Sequence, residues 1–394
     1  MQTRRQAALL FNKLQPHLKP YKTADKRKLW EQVFHASKQA VYFGGVVRYS
    51  RHPQRSSRIL LQVIDAACQA GLLKNHKSPP GSPKISRLLP LRQLASYTES
   101  DPWEFDPRRD NQLVFLRDRQ TGDDLPFNPK NSIPARVQSR LELVNKINSL
   151  SRISYDAYDP LSKKTCSRQL RPIHYAIFHD EFDLHGRIYT GKYGHQGLTK
   201  IERHTICFDD ESSVELDYSA LHPRMVYHLE GIDFQDDPYQ LWGRDTTPDQ
   251  RLLAKITLNS AINATGRNAA VAACNCKLRL KTSNDDYRQP QVIQKAKKLS
   301  RALENSGQRF QQIYDLALKH HKNVGHYFRT GIGRRLMTID AQIALEVLYH
   351  FAKQSIPCLG VHDSFIVPEH AKNELREIMI RSCERLLHYC PIVN

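Results

Sequence analysis

The sequence predicts an α+β protein whose N-terminal part is basic and mainly helical. Three features of the 394 residues support this class. Helix-like spacing of apolar residues dominates the first part of the chain. From about residue 170 onward, strand-like and helix-like segments alternate. The chain also holds 59 Lys and Arg against 40 Asp and Glu, and its formal net charge of +19 is unevenly distributed.

The excess of positive charge is concentrated near the N-terminus. Residues 1–60 contain 13 Lys and Arg and 2 acidic residues, which gives a net charge of +11. A fold does not need such an excess, whereas a polyanionic partner explains it, and nucleic acid is the commonest such partner. This charge predicts that the region binds nucleic acid.

Two helices and a basic loop are predicted in this region. Apolar residues recur at helical spacing over 24–40 and 58–73, and residues 74–84 are rich in Lys, Pro, Gly and Ser. A helix followed by a basic loop is typical of winged helix-turn-helix modules. The composition fits any basic helical bundle equally well.

Composition excludes several other classes of protein. Hydrophobic residues make up 40% and charged residues 25% of the chain, which is typical of a folded protein and not of a disordered or collagen-like one. The longest apolar runs are far shorter than the roughly 20 residues of a spanning helix, and the N-terminus lacks a signal-peptide pattern. We therefore expect no membrane partner. The 8 scattered cysteines are expected to be free thiols in a reducing, cytoplasmic compartment.

The first candidate site residue is Asp217. It ends a short strand-like segment, 214–217, and an amphipathic helix follows. An Asp at the end of a strand can bind a metal ion while the sheet holds its backbone. Asp at a strand-to-helix junction is more often a helix N-cap, so this pattern alone leaves both interpretations open.

The second candidate is Asp363, which lies between two apolar, strand-like segments. This pattern predicts a β-hairpin that presents Asp363 at its turn. The turn lacks the Asn-Gly or Asp-Gly pair of generic tight hairpins. Polar residues between two strongly apolar strands indicate a functional site, although a structural pair of His362 and Asp363 would give the same pattern.

The third candidate is a helix that opens at Thr247-Pro248-Asp249-Gln250. Thr at the N-cap, Pro at the first helical position and Gln at the third predict a capping box. Side chains four residues apart share one face, and the face in question carries Arg251, Lys255, Asn259 and Asn263. Two cations near a helix N-terminus can bind a triphosphate. A solvated basic stripe is the alternative.

Together, the three patterns match the requirements of nucleotidyl transfer. Two carboxylates can bridge two divalent metal ions about 3.5–4 Å apart, which activate the attacking hydroxyl and stabilise the leaving pyrophosphate. Cations on a helix can neutralise the β and γ phosphates.

The order of these motifs resembles that of the superfamily of family-A DNA polymerases and single-subunit RNA polymerases of phage and mitochondria. The resemblance covers about residues 170–390. It rests on Gly186-Arg187, Asp217-Tyr218-Ser219, Arg251 with Lys255, and His362-Asp363-Ser364. The chain is similar to a short member of the superfamily without an exonuclease domain.

The resemblance implies a right-hand polymerase core. Its antiparallel palm would comprise 151–235 with the first aspartate and 336–394 with the second. Its helical fingers would comprise 236–335. The basic residues 1–150 would form a thumb-like, DNA-binding domain.

The resemblance also implies roles for individual residues. Asp217 and Asp363 would bind two magnesium or manganese ions, assisted by the backbone carbonyl of Tyr218. The residues that would contact the nucleoside triphosphate are Arg251, Lys255, Asn259, Asn263 and His222. Those that would contact nucleic acid are Arg187 and His362. A basic, glycine-rich stretch that ends in Arg334 and Arg335 is predicted from composition to contact phosphates, unless it is only solvated.

The implied product is DNA, extended on a template and primer, and two alternatives stay open. Asp217-Tyr218-Ser219 is similar to the DNA enzymes, whose sugar-selecting Glu is His222 here. The stretch Asp183 to Tyr189 is similar to the RNA polymerases, so a primase or RNA polymerase with an RNA product is the first alternative. Asn259 and Asn263 replace the aromatic residues of the family. A non-catalytic replication initiator with a degenerate polymerase fold is the second alternative.

Overall fold

The computed structural model of the chain describes residues 2–19, 22–42, 47–49, 58–77, 86–91, 94, 112–159, 164–170, 172–190, 194–279 and 290–394. The chain divides into two units. Unit 1 consists of Met1–Pro107, Ala157–Gln169 and Asn284–Arg288. Unit 2 consists of Arg108–Asp156, Leu170–Ser283 and Gln289–Asn394.

Unit 1 combines helices with a small antiparallel sheet. Its elements within residues 1–107 are α1 (Gln2–Leu14), α2 (Thr23–Tyr42), β1 (Val47–Tyr49), α3 (Arg58–Gln69), β2 (Leu73–His76) and β3 (Ser86–Pro90). The strands pair in the order β1-β3-β2. Trp30 and Phe34 of α2 are fully buried in its core. Trp30 Nε1 donates a hydrogen bond of 2.9 Å to the carbonyl oxygen of Ala7, which ties α2 to α1.

The helix predicted at 24–40 is confirmed as α2, and the second predicted helix is shorter than expected. Helix α3 ends at Gln69 because Gly71, with φ of +71°, reverses the chain so that β2 can pair with β3. The prediction that a loop begins at Lys74 is therefore wrong, because Lys74 lies in β2. The later part of that loop, 78–85, lies outside the described residues.

The rest of the described chain is a mixture of strands and helices. The strands are β4 (Val114–Arg117), β5 (Ile153–Asp159), β6 (Lys164–Gln169), β7 (His174–His179), β8 (Arg187–Thr190), β9 (Cys207–Phe208), β10 (Glu211–Asp217), β11 (Leu359–Val361) and β12 (Ser364–Pro368). The helices are α4 (Ser132–Leu150), α5 (Lys200–Arg203), α6 (Leu221–Leu229), α7 (Pro248–Asn263), α8 (Arg267–Arg279), α9 (Pro290–Ser306), α10 (Phe310–His320), α11 (Gly333–Lys353) and α12 (Lys372–Leu387).

Two sheets organise unit 2. In the larger one, β11, β12, β10, β9 and β5 are neighbours in that order, and the pairs of β10 with β9 and β12 are antiparallel. In the smaller one, β7 lies between β4 and β8 and is parallel to β4. This mixture of helices and mainly antiparallel strands confirms the α+β class. The right-hand layout and the palm and finger boundaries stay predictions.

The larger sheet is anchored by a buried cluster that includes its own side chains and those of two helices. Phe365 of β12, Phe351 of α11 and Met379 of α12 are each completely buried and belong to this cluster. None of the described helices contains a segment long and apolar enough to cross a membrane. All of the cysteines are free thiols, as predicted.

In strand β11, the backbone N–H and carbonyl groups of Gly360 form hydrogen bonds with two imidazole rings. Gly360 N donates to His174 Nε2 at 3.1 Å, and the Gly360 carbonyl oxygen lies 2.8 Å from His195 Nε2. Burial lowers the pKa of both histidines, that of His195 to about 4, so both rings are neutral near pH 7. The two rings therefore hold opposite tautomers, with His174 Nε2 accepting and His195 Nε2 donating.

The chain enters β8 through a glycine that has both a special backbone angle and a close neighbour. Gly186 has φ of +63°, and a Cβ atom there would lie 2.7 Å from Cε1 of Phe178. Gly122 has φ of +76° but no atom within 4 Å of the same position. Substitutions at the two glycines therefore distinguish the energetic cost of the backbone conformation from that of steric overlap.

We predict that Gly186→Ala destabilises the protein more than Gly122→Ala. Both substitutions place an L-residue in the left-handed region, at a cost of about 1–2 kcal/mol. Gly186→Ala also forces its Cβ against the buried Phe178 ring, which adds about 1–3 kcal/mol. Urea unfolding of the two variants measures the difference, and equal losses of stability would contradict the predicted overlap.

Candidate active site

Asp217 and Asp363 lie at the same end of two paired strands. Asp217 is the last residue of β10 and is paired in register with Ser364, the first residue of β12. The backbone N–H of Tyr218 donates to the carbonyl oxygen of Asp363 at 3.1 Å. The predicted strand before Asp217 and the predicted hairpin around Asp363 are both confirmed. The two carboxylates therefore come from adjacent backbones.

Each aspartate lies within three residues of a non-glycine residue in the left-handed region. His362 has φ of +60° at the first position of the two-residue turn that joins β11 to β12. Such turns favour glycine there, so a histidine at this position stores strain, which is common at functional sites. Ala220, with φ of +50°, is the N-cap of α6. Asp217 therefore does not cap that helix, which removes the alternative interpretation of its position.

The backbone around Asp217 is also held from its other side. Asp217 N donates to the carbonyl oxygen of Asn394 at 3.3 Å, and Asn394 N donates back to Asp217 at 3.0 Å. Ser219 N donates to the carbonyl oxygen of Ile392 at 2.8 Å. The segment 392–394 thus acts as a short partner strand. Nothing in the sequence pattern predicted it.

Another acidic residue of β10, Glu215, is bound by neighbouring protein side chains. Arg203 binds it in a fork, with Nε and the terminal nitrogen NH2 each 3.0 Å from a different carboxylate oxygen. Ser364 Oγ donates to the same carboxylate at 2.9 Å. Glu215 and Asp217 project from the same face of the strand. Of these two acids, Glu215 is engaged by protein groups.

The two site aspartates carry charge that the protein itself compensates incompletely. Partial burial and the charge of Glu215 raise the pKa of Asp217, against the opposing charges of Lys200 and Lys255. Burial and the charge of Asp340 raise the pKa of Asp363. A divalent cation between the two carboxylates would relieve both effects.

The donor chemistry fits magnesium or manganese. Within the part of the chain that the structure describes, no group of three or more His, Cys, Asp or Glu side chains could hold a metal ion. Magnesium is commonly held by one or two carboxylates, with waters and substrate phosphates completing the shell. Asp217 and Asp363 provide such a pair, and Tyr218 directly follows Asp217 in the chain.

Helix α7 carries the predicted cationic face. The capping box of Thr247 and Gln250 is present, as predicted. Arg251 Nε lies 2.5 Å from Asp237 Oδ2, and the Arg251 guanidinium and the Lys255 ammonium lie 5.2 Å and 5.9 Å from the centre of the Tyr239 ring. Tyr239, which the sequence analysis missed, is 3% exposed and supports both cations.

The other two residues of this face lie towards its C-terminal end. Asn263 Nδ2 donates to the carbonyl oxygen of Asn259 at 2.8 Å. Asn263 also packs against Gly333, where α11 begins, so a Cβ at Gly333 would lie 2.2 Å from Asn263 Oδ1. Arg334 and Arg335 follow directly, half-buried and exposed respectively. The structure brings the end of α7 next to this basic stretch.

Arg187, His222 and His362 gather around a buried acid. Arg187 donates to Asp340 at 3.2 Å, and His222 Nε2 lies 3.4 Å from the same oxygen. Arg187, Asp340 and His362 line one small pocket. Burial and the charge of Arg187 lower the pKa of His362. The sequence analysis did not single out Asp340, because it lies in the middle of an ordinary amphipathic helix.

We predict that Asp363→Asn raises the free energy of unfolding at neutral pH without divalent cations. The raised pKa of Asp363 means that the folded state binds its proton more tightly than the unfolded state. Stability therefore falls as pH rises from the ordinary Asp pKa of about 3.9 through the raised value, and stays lower above it. Asn does not ionise, so the variant avoids this loss.

Urea unfolding at neutral pH and below the ordinary Asp pKa checks this expectation, with Asp123→Asn in an exposed turn as the control. The two proteins should converge in stability at the lower pH. Magnesium or manganese should stabilise the wild type and not the Asp363 variant. A variant that is less stable than the wild type at neutral pH would refute the electrostatic argument.

Comparisons with known proteins give distant structural likenesses. No protein-family model and no curated protein matches the chain. Among solved structures, it is similar to the POL domain of Pol1 from M. smegmatis, in complex with DNA primer-template and dNTP. The sequence identity is 11% and the TM-score is 0.33, over 94% of this chain and 64% of that chain. The chain thus spans less than two thirds of the length of that domain, and a likeness at this level does not identify a common fold.

Proposed function

We propose that the protein catalyses template-directed nucleotidyl transfer and extends a nucleic-acid strand from nucleoside triphosphates. The observation that carries this proposal is that Asp217 lies at the end of a strand paired with the Asp363 hairpin. The hydrogen bond of 3.1 Å from Tyr218 N to the carbonyl oxygen of Asp363 holds the two backbones together. Two carboxylates with raised pKa values are the donor set that a pair of divalent cations requires.

In this proposal Asp217 and Asp363 hold two magnesium or manganese ions with help from the Tyr218 carbonyl. Bound divalent cations supply activation of the attacking hydroxyl and stabilisation of the leaving pyrophosphate. Lys255, whose charge already acts on Asp217, and Arg251 bind the β and γ phosphates. Glu215 takes no part in this, because Arg203 and Ser364 occupy it.

The remaining contacts in this proposal are those that the family resemblance and the basic composition imply. His222 and the two asparagines of α7 face the incoming nucleotide, and Arg187, His362, Arg334 and Arg335 contact nucleic acid. We propose a right-hand core with its palm at 151–235 and 336–394. The N-terminal 150 residues add affinity for the template and primer.

We favour deoxynucleotides and DNA synthesis of the family-A type. His222 is half-buried beside Asp340, and a fixed imidazole in this place would obstruct a ribose 2′-hydroxyl. An RNA polymerase or primase is the competing function. It is favoured by the sequence Asp183-x-x-Gly186-Arg187-Ile188-Tyr189, which is similar to that of the RNA enzymes. Extension with dNTPs and rNTPs in separate reactions, with and without primer, distinguishes the two.

Asp217→Ala and Asp363→Ala are each expected to abolish nucleotide incorporation and to leave DNA binding intact. Removal of one preorganised electrostatic group typically costs about 10²–10³-fold in rate, and loss of a metal ligand should cost at least as much. Primer extension with magnesium or manganese measures the rate, and a gel shift measures DNA binding.

The matched control is Asp315→Ala, which breaks an exposed ion pair between Asp315 of α10 and Arg267 of α8 and should leave extension unchanged. Near-normal extension by either site variant would show that the metal assignment is wrong. A wild type that binds DNA but extends no primer under any of these conditions would favour the non-catalytic initiator instead.

The basic N-terminal region is expected to supply a large part of the affinity for nucleic acid. Residues 1–60 include the buried Trp30 and Phe34, so deletion would disrupt the core of unit 1. Neutralising exposed cations is the cleaner change, and the set Lys13, Lys19, Lys22 and Lys28 is exposed. Each lost phosphate contact on duplex DNA reduces the slope of log affinity against log salt by about 0.9.

The measurement is DNA affinity across a salt series for the wild type and for the variant with all four lysines changed to Gln. A variant with Lys130, Lys146, Lys353 and Lys372 changed to Gln has the same net charge and serves as the control. We expect the slope of log affinity against log salt to be flatter for the N-terminal variant than for the wild type, and to be unchanged in the control variant. Identical slopes for both variants would mean that the N-terminal charge has another purpose.

A further inference from the structure

Asp340 is a buried carboxylate at the meeting point of three elements. It lies in the middle of α11 and is 3% exposed. Its Oδ2 atom is 3.2 Å from the terminal nitrogen NH2 of Arg187 on β8 and 3.4 Å from Nε2 of His222 on α6. The same helix is fixed to the loop before β8, because Thr338 Oγ1 donates to the carbonyl oxygen of Asp183 at 2.8 Å.

A carboxylate in this position requires positive partners. Burial raises the pKa of Asp340, but its contact with His222 and then the charge of Arg187 outweigh burial and leave the pKa below its ordinary value. Asp340 is therefore ionised near pH 7. A buried anion is retained only when it is paired, so Arg187 and His222 are held towards it.

The two partners keep donor atoms that the protein leaves unused. Among the described residues, neither Arg187 Nε nor His222 Nε2 has a hydrogen-bond partner, although both atoms are buried. The 3.4 Å separation between His222 Nε2 and Asp340 Oδ2 is thus a polar contact without hydrogen-bond geometry. Buried polar atoms are rarely left unpaired. Arg187 and Asp340 line a small pocket together with His362.

We infer that Asp340 is a positioning residue that sets sugar discrimination, by holding His222 beside the sugar of the incoming nucleotide and Arg187 beside the nucleic acid. This inference rests on the proposed function. Asp340 itself touches neither substrate nor metal, so it acts through its two partners. The carboxylate is the shared anchor for two side chains that come from different elements.

Removal of the charge on Asp340 tests whether this carboxylate holds His222 and Arg187 in place. In Asp340→Asn the side chain keeps its shape, but the imidazole and the guanidinium lose their common counter-charge. Steric and hydrogen-bond discrimination of one group typically amounts to about 10–200-fold. We expect the wild type to prefer dNTPs by a ratio in this range, and Asp340→Asn to lower that ratio by about tenfold or more.

The experiment is primer extension by the full chain, with kcat and KM measured for dNTPs and rNTPs separately. Because Asp340 does not touch the reacting atoms, the change should appear mainly in KM and in the sugar ratio. In a His222→Gly background, Asp340→Asn should change the sugar ratio no further. Asp315→Asn removes the charge from another Arg–Asp pair, between Arg267 of α8 and Asp315 of α10, and should leave the ratio unchanged.

A second measurement does not depend on activity. Diethyl pyrocarbonate modifies accessible imidazoles, and the His222 side chain is only 16% exposed. Loss of the anchor in Asp340→Asn should make modification of His222 several-fold faster by mass spectrometry, whereas Asp315→Asn should not. If the wild type extends no primer, the proposed function fails, while this reactivity still decides whether Asp340 fixes His222.

Three results would overturn the inference: an unchanged sugar ratio in Asp340→Asn, an unchanged reactivity of His222, or a wild type that already prefers rNTPs. If Asp340→Asn does not fold, His222→Gln and His222→Leu are compared with Asp340 intact. The Gln amide keeps a polar group that can contact Asp340, whereas the Leu side chain has none. We expect His222→Gln to keep more of the sugar discrimination, and equal ratios would refute the role of Asp340.

Discussion

The register between β10 and β12 is the constraint on which the rest of the site depends. Leu216 is paired with Phe365, and both are buried, so this pair fixes one face of the two strands against the core. Successive side chains of a strand alternate between faces, and a slip of one residue would turn this pair outward. Burial of two apolar side chains therefore decides that Asp217 and the Asp363 turn meet at one end of the sheet.

The same sheet places two acidic side chains of β10 in different surroundings. Glu215 and Asp217 are two residues apart, yet Glu215 is bound by Arg203 and Ser364 while the Asp217 side chain is exposed. The backbone of Asp217 is nevertheless held on both sides, by β12 and by the segment 392–394. A carboxylate on a fixed backbone with a raised pKa is costly to the apo fold and well suited to a cation.

The parts of the site that the sequence predicts are those whose partners are local. The strand before Asp217, the hairpin at Asp363 and the capping box of α7 each follow from a few neighbouring residues, and all three are present. The missed parts depend on distant partners: Asp340 is 153 positions from Arg187 in the chain. No periodicity or turn pattern reports such a pair, because it arises only when β8 and α11 pack together. The end of α3 was misjudged for a related reason, since pairing with β3 overrides the apolar pattern after Gly71.

The two halves of the site differ in how firmly they are held, and this difference suits their proposed tasks. On the carboxylate side, His362 occupies a strained turn, and neutral His174 and His195 hold the strand that leads into it. On the cationic side, Arg251 is 47% exposed, and an exposed ion pair such as its contact with Asp237 contributes only about 0–1 kcal/mol. A triphosphate brings more charge than one carboxylate, so it can displace Asp237 at little cost. Metal ligands must be placed before the substrate arrives, whereas phosphate-binding cations must release one anion to accept another. The strained turn at His362 suits the first of these proposed tasks, and the weak surface ion pair of Arg251 suits the second.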